Sequence, residues 1–134
     1  MENAENELTS ENEVTSKNRG PMSNEERMRR IDEYCSHVWM VRTFLKHSEE
    51  AEEDEELCEV HRDLYDFMLA LGPALDENDA AKYLKLAKKK LKRLKRAKEL
   101  FDEIQPEISE HMNFKMSAKS LELAVHGIVA LLEK

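Results

Sequence analysis

The sequence predicts an all-α fold, an up-down antiparallel bundle of about four helices, and three observations support this prediction. Ala, Glu, Lys, Leu and Arg account for 70 of the 134 residues, a composition typical of long helices. Val, Ile and Thr number only 13, so the residues that favour strands are scarce. Apolar residues recur at spacings of three and four along four segments, which is the period of one helix face.

Residues 1–21 are predicted to be a disordered acidic tail, and residues 22–134 a helical bundle domain. The tail carries five Glu against one Lys and one Arg, and its only sizeable apolar residues are Met1, Leu8 and Val14. So little apolar surface cannot offset the entropy lost on ordering. Two interpretations stay open: the tail is a genuine extension, or the native protein begins at Met22. N-terminal sequencing of the native protein separates them.

The first helix is expected to begin at Ser23 and to run to about Lys46. Ser23 and Glu26 have the spacing of a capping box, in which the hydroxyl accepts from the amide three residues on and the carboxylate reaches back. Residues at helical spacing form its inward face: Ile31, Tyr34, Cys35, Val38, Val41 and Leu45.

The second helix is expected over about 52–71. Its end is assigned to Gly72 and Pro73, because Gly suits the left-handed position after a helix and Pro cannot continue one. Its apolar residues follow an uninterrupted pattern of threes and fours: Leu57, Val60, Leu64, Phe67 and Leu71.

The third helix is expected to be capped by Asp76 and to end near Ile104. The boundary is placed at Gln105, since the residue before Pro106 avoids helical backbone angles. A short helical segment is predicted over 107–112. The inward face of the third helix is Leu84, Ala87, Leu91, Leu94, Ala97, Phe101 and Ile104.

The fourth helix is expected over about 118–133, with Ser117 as its cap. Short connections between long amphipathic helices favour antiparallel neighbours, which gives the up-down order. The inner face of this helix is Leu121, Ala124, Val125, Ile128 and Leu132.

Two runs of opposite charge stand out in a chain whose net charge is −8. Residues 49–56 hold seven acids in eight positions, and residues 82–98 hold ten Lys or Arg and no acid. A basic helical face of this density suggests binding of nucleic acid or another polyanion. By helical geometry, the face spans about 160° and contains Lys82, Lys85, Lys88, Lys89, Lys92, Arg93, Lys95 and Arg96.

The favoured explanation of these runs is that they neutralise each other inside the molecule. If the second and third helices form a hairpin around 72–76, residue i lies opposite residue 148 − i, so Leu57 meets Leu91 and Leu64 meets Leu84. That register places an acidic set beside residues 89–96: Glu52, Glu53, Glu56 and Glu59. External anion binding remains the alternative, and the acidic net charge weighs against it.

A partner surface is expected on the first helix, where Trp39, Met40 and Phe44 are apolar residues outside the inward face. A helix that is apolar all round is buried on more than one side. Either the fourth helix and residues 111–116 cover these side chains, or they form a homodimer or partner-helix interface with Trp39 as its anchor. Tyr65 and Leu69 of the second helix extend the same surface.

Metal binding is a weaker hypothesis that rests on three glutamate–histidine pairs at i,i+4, a spacing that places both groups on one helix face. The pattern differs from the Glu-x-x-His spacing of di-iron bundles, and no cofactor is predicted. The pairs are Glu33/His37, Glu107/His111 and Glu122/His126.

The leading expectation is a non-enzymatic interaction module. Cys35 lies on an apolar helix face, where a thiol usually acts as a small hydrophobe rather than as a nucleophile. The N-terminus has no apolar stretch of a secretory signal, and no apolar run reaches the ~18 residues of a membrane span. A cytoplasmic location with no membrane partner is therefore expected.

Overall fold

In the computed structural model, which describes residues 21–133, four long helices pack into a bundle. The predicted all-α fold is therefore confirmed. The helices are α1 (Asn24–Lys46), α2 (Glu55–Asp76), α3 (Ala80–Ile108) and α4 (Met112–Leu132), with a 3-10 turn at Glu50–Glu52 before α2. The tail predicted over residues 1–21 lies outside the described residues, except for Pro21.

The start of α1 agrees with the prediction. The Glu26 amide donates a 3.1 Å hydrogen bond to Ser23 Oγ, and α1 ends at Lys46 as expected. The Glu26 carboxylate forms an ion pair with Arg30 at 3.1 Å. The side chains of α1 that the sequence placed inward are buried, except for Tyr34, which is half-buried.

The predicted end of α2 at Gly72 and Pro73 is wrong, because the helix runs through both residues to Asp76. The left-handed residue is Asn78, with φ 55°. The Asp79 amide donates to the Ala74 carbonyl at 2.9 Å and the Asn78 amide to Leu75 at 3.0 Å, the two bonds of a Schellman ending. Pro73 lies in the last turn, where its missing amide costs one hydrogen bond, and continuing the helix buries Ala74.

The start of α2 and the two ends of α3 also differ from the prediction. Asp54 caps α2 by accepting from the Leu57 amide at 2.9 Å, so the helix begins at residue 55 rather than 52. Asp79, not Asp76, caps α3. The third helix continues through Pro106 to Ile108, so the separate segment predicted over 107–112 does not form.

The fourth helix starts six residues earlier than predicted, at Met112 instead of 118. The Asn113 amide donates to Nδ1 of His111, which caps the helix at 3.0 Å, and Ser117 lies inside the helix. The extra turns bring Phe114 against Phe44 of α1, with ring centroids 5.0 Å apart. Burial of Phe114 therefore favours the longer helix over a cap at Ser117.

The four helices alternate in direction around a shared apolar core. Arg27 near the start of α1 donates two hydrogen bonds, of 3.1 and 2.7 Å, to the carbonyl of Leu131 at the end of α4, so these two helices are antiparallel. Each helix packs against two neighbours, and α1 also contacts α3 across the core. The largest fully buried side chains are Tyr83, Phe67 and Phe101.

Candidate interaction surfaces

Trp39 forms a cluster with the Tyr65 ring and the Arg42 guanidinium. The Trp39 and Tyr65 rings lie 6.3 Å apart at 44°, which joins α1 to α2. The Arg42 guanidinium lies 4.9 Å from the Trp39 ring centre and 4.4 Å from that of Tyr65. Cation–π contacts of this kind contribute roughly 0.5–1 kcal/mol at exposed sites. The cluster therefore holds Trp39 in place although the side chain is 45% exposed.

Beside Trp39, an open groove of about 280 Å³ runs between α1 and α2. Its surface is mostly apolar, and Tyr83 of α3 contributes to it. A Cβ added at Gly72 would meet nothing within 4 Å, so the groove is open at that point. We call this feature the α1/α2 groove; it is lined by Asp32, Cys35, Ser36, Trp39, Met68, Leu71, Gly72, Leu75 and Tyr83.

The thiol in the groove is not an activated nucleophile. Cys35 is buried, and its Sγ lies 4.0 Å from the Tyr83 hydroxyl. Burial raises the pKa of Cys35 to about 12, and burial also raises the pKa of Tyr83. A nucleophilic cysteine needs a lowered pKa, so Cys35 is a neutral thiol at physiological pH.

Two charged residues of α1 have no ion-pair partner within 4 Å among residues 21–133: Asp32, which lines the groove, and Arg42, which lies beside it against the Trp39 and Tyr65 rings. Burial, and next the neighbouring Glu33, raises the pKa of the Asp32 carboxyl. Arg42 carries its charge over the two rings, and its buried Nε has no hydrogen-bond partner in the described part of the chain. Both groups are therefore available to a charged partner that docks here.

The predicted partner surface is divided between two sides of α1. The rings of Trp39 and Tyr65 lie 6.3 Å apart, and Leu69, one turn further along α2, is 59% exposed. Phe44 instead packs on Phe114 of α4, so it belongs to the core edge and not to the Trp39 side. Met40 is 65% exposed.

A second exposed apolar stripe runs along α4, and the sequence analysis missed it. Met112, Met116 and Leu123 are all more than half exposed. Their spacing of four and seven residues places them on one side of the helix. One of the two predictions for residues 111–116 has them cover α1, whereas in the structure Phe114 alone of that segment is buried. The sequence shows this spacing, but Met112 and Met116 are predicted from it to pack against α1.

The hairpin register differs from the predicted one and changes the interpretation of the charged runs. Arg93 of α3 forms an ion pair with Asp66 of α2 at 3.3 Å, and the two numbers sum to 159 rather than 148. The shift follows from the turn, which is centred on Asn78 instead of on residues 72–76. The acidic run consequently does not lie beside residues 89–96.

The acidic run instead lies beside the C-terminal end of α3, at the end of the hairpin that is opposite the turn. Four of its acids line a shallow pocket together with Glu107, Ile104 and Ile108. The mutual neutralisation that the sequence favoured is therefore wrong for this run. The four acids are Glu50, Glu53, Asp54 and Glu56.

The basic run is left largely without partners. Of its ten basic residues, three form ion pairs within residues 21–133: Lys82 with Glu77, Arg93 with Asp66, and Lys98 with Asp102. Eight lie exposed on α3, and this set defines the basic face: Lys82, Lys85, Lys88, Lys89, Lys92, Arg93, Lys95 and Arg96.

The histidines of the predicted metal pairs have structural contacts or lie exposed. His37 Nδ1 lies 3.3 Å from Ser120 Oγ, and His111 caps α4. Between residues 21 and 133 there is no group of three or more His, Cys, Asp or Glu that could hold a metal ion. The described residues thus give the metal hypothesis no support.

No helix in the described part of the chain is long and apolar enough to cross a membrane. Together, the fold and these surfaces define a four-helix bundle with an exposed aromatic groove and a basic helix face. Comparison with family models, with curated proteins and with solved structures finds no match.

Proposed function

We propose that this protein is a non-enzymatic interaction module that forms a two-fold symmetric homodimer through the α1/α2 groove. The observation that carries the proposal is the exposed Trp39, held against Tyr65 and Arg42 at the edge of an open apolar groove. Aromatic side chains of this kind are enriched among the residues that dominate binding energy at interfaces.

The Trp39 cluster favours association because the Trp39 side chain has little conformational freedom left to lose on binding. Ordering a flexible side chain at an interface costs roughly 0.5–1.5 kcal/mol. Trp39 already lies against two neighbours in the single chain. Leu69 and Leu75 add exposed apolar surface on the α2 side of the same face.

The charges of α1 favour a second copy as the occupant. Asp32 and Arg42 lie about 15 Å apart along the helix, at ~1.5 Å per residue. In a two-fold symmetric contact, the same surface of both copies forms the interface, so that residue i of one copy contacts residue j of the other and residue j contacts residue i. Antiparallel packing of α1 on α1, with the two-fold axis at the level of residue 37 along the helix, would therefore place Asp32 of each copy opposite Arg42 of the other. One interface would then contain two ion pairs, each between Asp32 of one copy and Arg42 of the other.

The test is the oligomeric state by sedimentation velocity, from low micromolar to hundreds of micromolar protein. We expect a dimer for the wild-type chain. Asp32→Arg and Arg42→Asp should each shift it to monomer, because like charges then face each other at a cost of several kcal/mol. The double variant restores opposite pairs and should recover part of the association, although it lacks the contacts of the Arg42 guanidinium with the Trp39 and Tyr65 rings. Trp39→Ala should weaken association while the helical circular dichroism signal is kept.

Leu123→Glu is the matched control, since it places a charge on an equally exposed apolar site on α4, away from the groove. It should leave the dimer intact. A wild-type monomer at every concentration would overturn the homodimer and leave partner-helix docking as the interpretation of the groove. Dimers in both single charge variants would overturn the proposed symmetry.

A further inference from the structure

We propose that the basic face of α3 binds the phosphodiester backbone of a nucleic acid duplex, without sequence preference. This activity goes beyond self-association, since it uses a different helix and other residues. The starting observation is the shifted hairpin register, which leaves five lysines and Arg96 of this face exposed without an ion-pair partner among residues 21–133. Arg93 has one such partner, Asp66, at 3.3 Å.

The basic face has few counter-charges on the neighbouring helix α2. On α2, the Asp63 carboxyl has Arg93 and Arg96 in its electrostatic surroundings together with two further acids, Glu59 and Asp66. Of these three acids, only Asp66 forms an ion pair with the basic face within residues 21–133. The dense acids of 49–56 lie with Glu107 at the far end of α3. A row of like charges on one helix repels itself, and a polyanion is the ligand that would relieve that repulsion.

The dimensions of the face suit a duplex. From Lys85 to Arg96 the face extends about 16 Å along α3, at ~1.5 Å per residue. That length corresponds to about five base pairs of a duplex, with one negative charge per ~1.7 Å of axis. The residues span an arc of about 160°, so a groove that admits an α-helix would bring phosphates to both sides of it.

The chemistry of the face favours backbone contacts over base recognition. Binding of single strands usually relies on exposed aromatic side chains on which bases stack. Tyr83 and Phe101, the aromatic residues of α3, are buried in the core. Most of the face is lysine, which contacts phosphate as a point charge and carries no planar fork for reading bases.

The net charge of −8 does not oppose this contact at short range. Lys92 and Glu107 are separated by about 22 Å along the helix. At physiological ionic strength charges are screened beyond about 8 Å. Glu99 and Glu103 lie closer to the face, and they limit the contact to the part of α3 that ends at Arg96.

The experiment measures fluorescence anisotropy of a labelled random-sequence DNA duplex of about 20 base pairs, titrated with the full chain at several salt concentrations. The variant Lys85→Gln/Lys89→Gln/Lys92→Gln removes three charges of the basic face. The matched control, Lys46→Gln/Arg62→Gln/Lys119→Gln, removes three exposed charges elsewhere that also lack an ion pair among the described residues. Gln keeps the helix propensity of both variants similar.

We expect the wild-type chain to bind at about 50 mM salt and to lose affinity steeply with added salt. The face variant should bind at least about tenfold more weakly and should lower the salt slope by about 3. The control should bind nearly as the wild type. Absence of binding at low salt, or equal loss in the control, would overturn the proposal. Stronger binding to single strands or to poly-glutamate would also overturn it. Because neither variant alters the α1/α2 groove, a failure here is distinguishable from failure of the homodimer.

Discussion

The ring of Tyr34 on α1 lies directly over Gly127 of α4, so that a Cβ added at Gly127 would fall on the ring. Gly127→Ala would therefore force the half-buried Tyr34 ring to move. At Gly72 on α2 an added Cβ meets nothing within 4 Å apart from its own chain neighbours, one of which is Pro73. The two helical glycines of the bundle thus lie in different surroundings.

Alanine substitutions at the two glycines should differ in their effect on stability. Gly127→Ala should lower the free energy of unfolding by about 1–3 kcal/mol, because the Tyr34 ring must move. Gly72→Ala should change it by less than about 0.5 kcal/mol, because the entropy gained by replacing a helical glycine is offset by the contact of the new Cβ with the Cδ of Pro73. Urea unfolding followed by circular dichroism measures both. In a Tyr34→Ala background, Gly127→Ala should no longer destabilise; a persistent loss would contradict the ring contact.

Asn78 should tolerate glycine but not alanine. Its φ of 55° is the left-handed region, which costs an ordinary L-residue roughly 1–2 kcal/mol and suits Asn or Gly. Asn78→Ala should therefore lower the free energy of unfolding by about 1 kcal/mol, and Asn78→Gly should change it by less than about 0.5 kcal/mol. Thermal and urea unfolding of the two variants provide the comparison. Equal effects from both substitutions would count against the left-handed ending of α2.

Cys35 should make the bundle less stable at alkaline pH. Burial raises the pKa of this thiol from 9.0 to about 12, so the native chain keeps a proton that the unfolded chain has already lost. This contribution to stability is complete below 9.0 and is lost as pH rises from there to about 12. Urea unfolding across that range should show a falling free energy, and Cys35→Ser should flatten the fall. An equally steep decline in Cys35→Ser would assign the effect to Tyr83 or the lysines.

Alanine substitutions at Phe114 and Met40 should differ in their effect on the free energy of unfolding, because one residue lies in the core and the other on the surface. Phe114 is buried against Phe44, so Phe114→Ala should cost about 3–5 kcal/mol of unfolding free energy. Met40→Ala should stay within about 0.5 kcal/mol, because the side chain is largely exposed. Chemical denaturation of the two variants measures the difference. A large loss at Met40 would mean that another surface covers it.

Helical periodicity predicted the buried residues well, and local stop signals predicted the helix ends poorly. The inward faces of all four helices were readable because apolar spacing reports burial directly, as at Val38 and Leu64. Pro73 and Pro106 were interpreted as boundaries, yet both lie in a last helical turn. Local propensity is a weak preference that tertiary packing overrides.

The candidate surfaces were predicted only in part, since surfaces depend on register. The pairing of Trp39 with Tyr65 could be anticipated, because both fall outside the inward faces of neighbouring helices. The partner of Phe44 could not, since it lies on a turn of α4 that was assigned to a connection. A turn centred a few residues further along the chain then moved every charge pair of the hairpin.

The crowding of carboxylates around Ile104 and Ile108 has a consequence for local motion. Acids at the start of α2 are favourable near a helix N-terminus, whereas Glu107 lies near the C-terminal end of α3, where the helix dipole disfavours it. Repulsion at this end weakens with ionic strength. Backbone amides in the last turns of α3 should therefore exchange with deuterium faster in dilute buffer than in salt. The salt concentration would then control how often this end of the bundle opens locally.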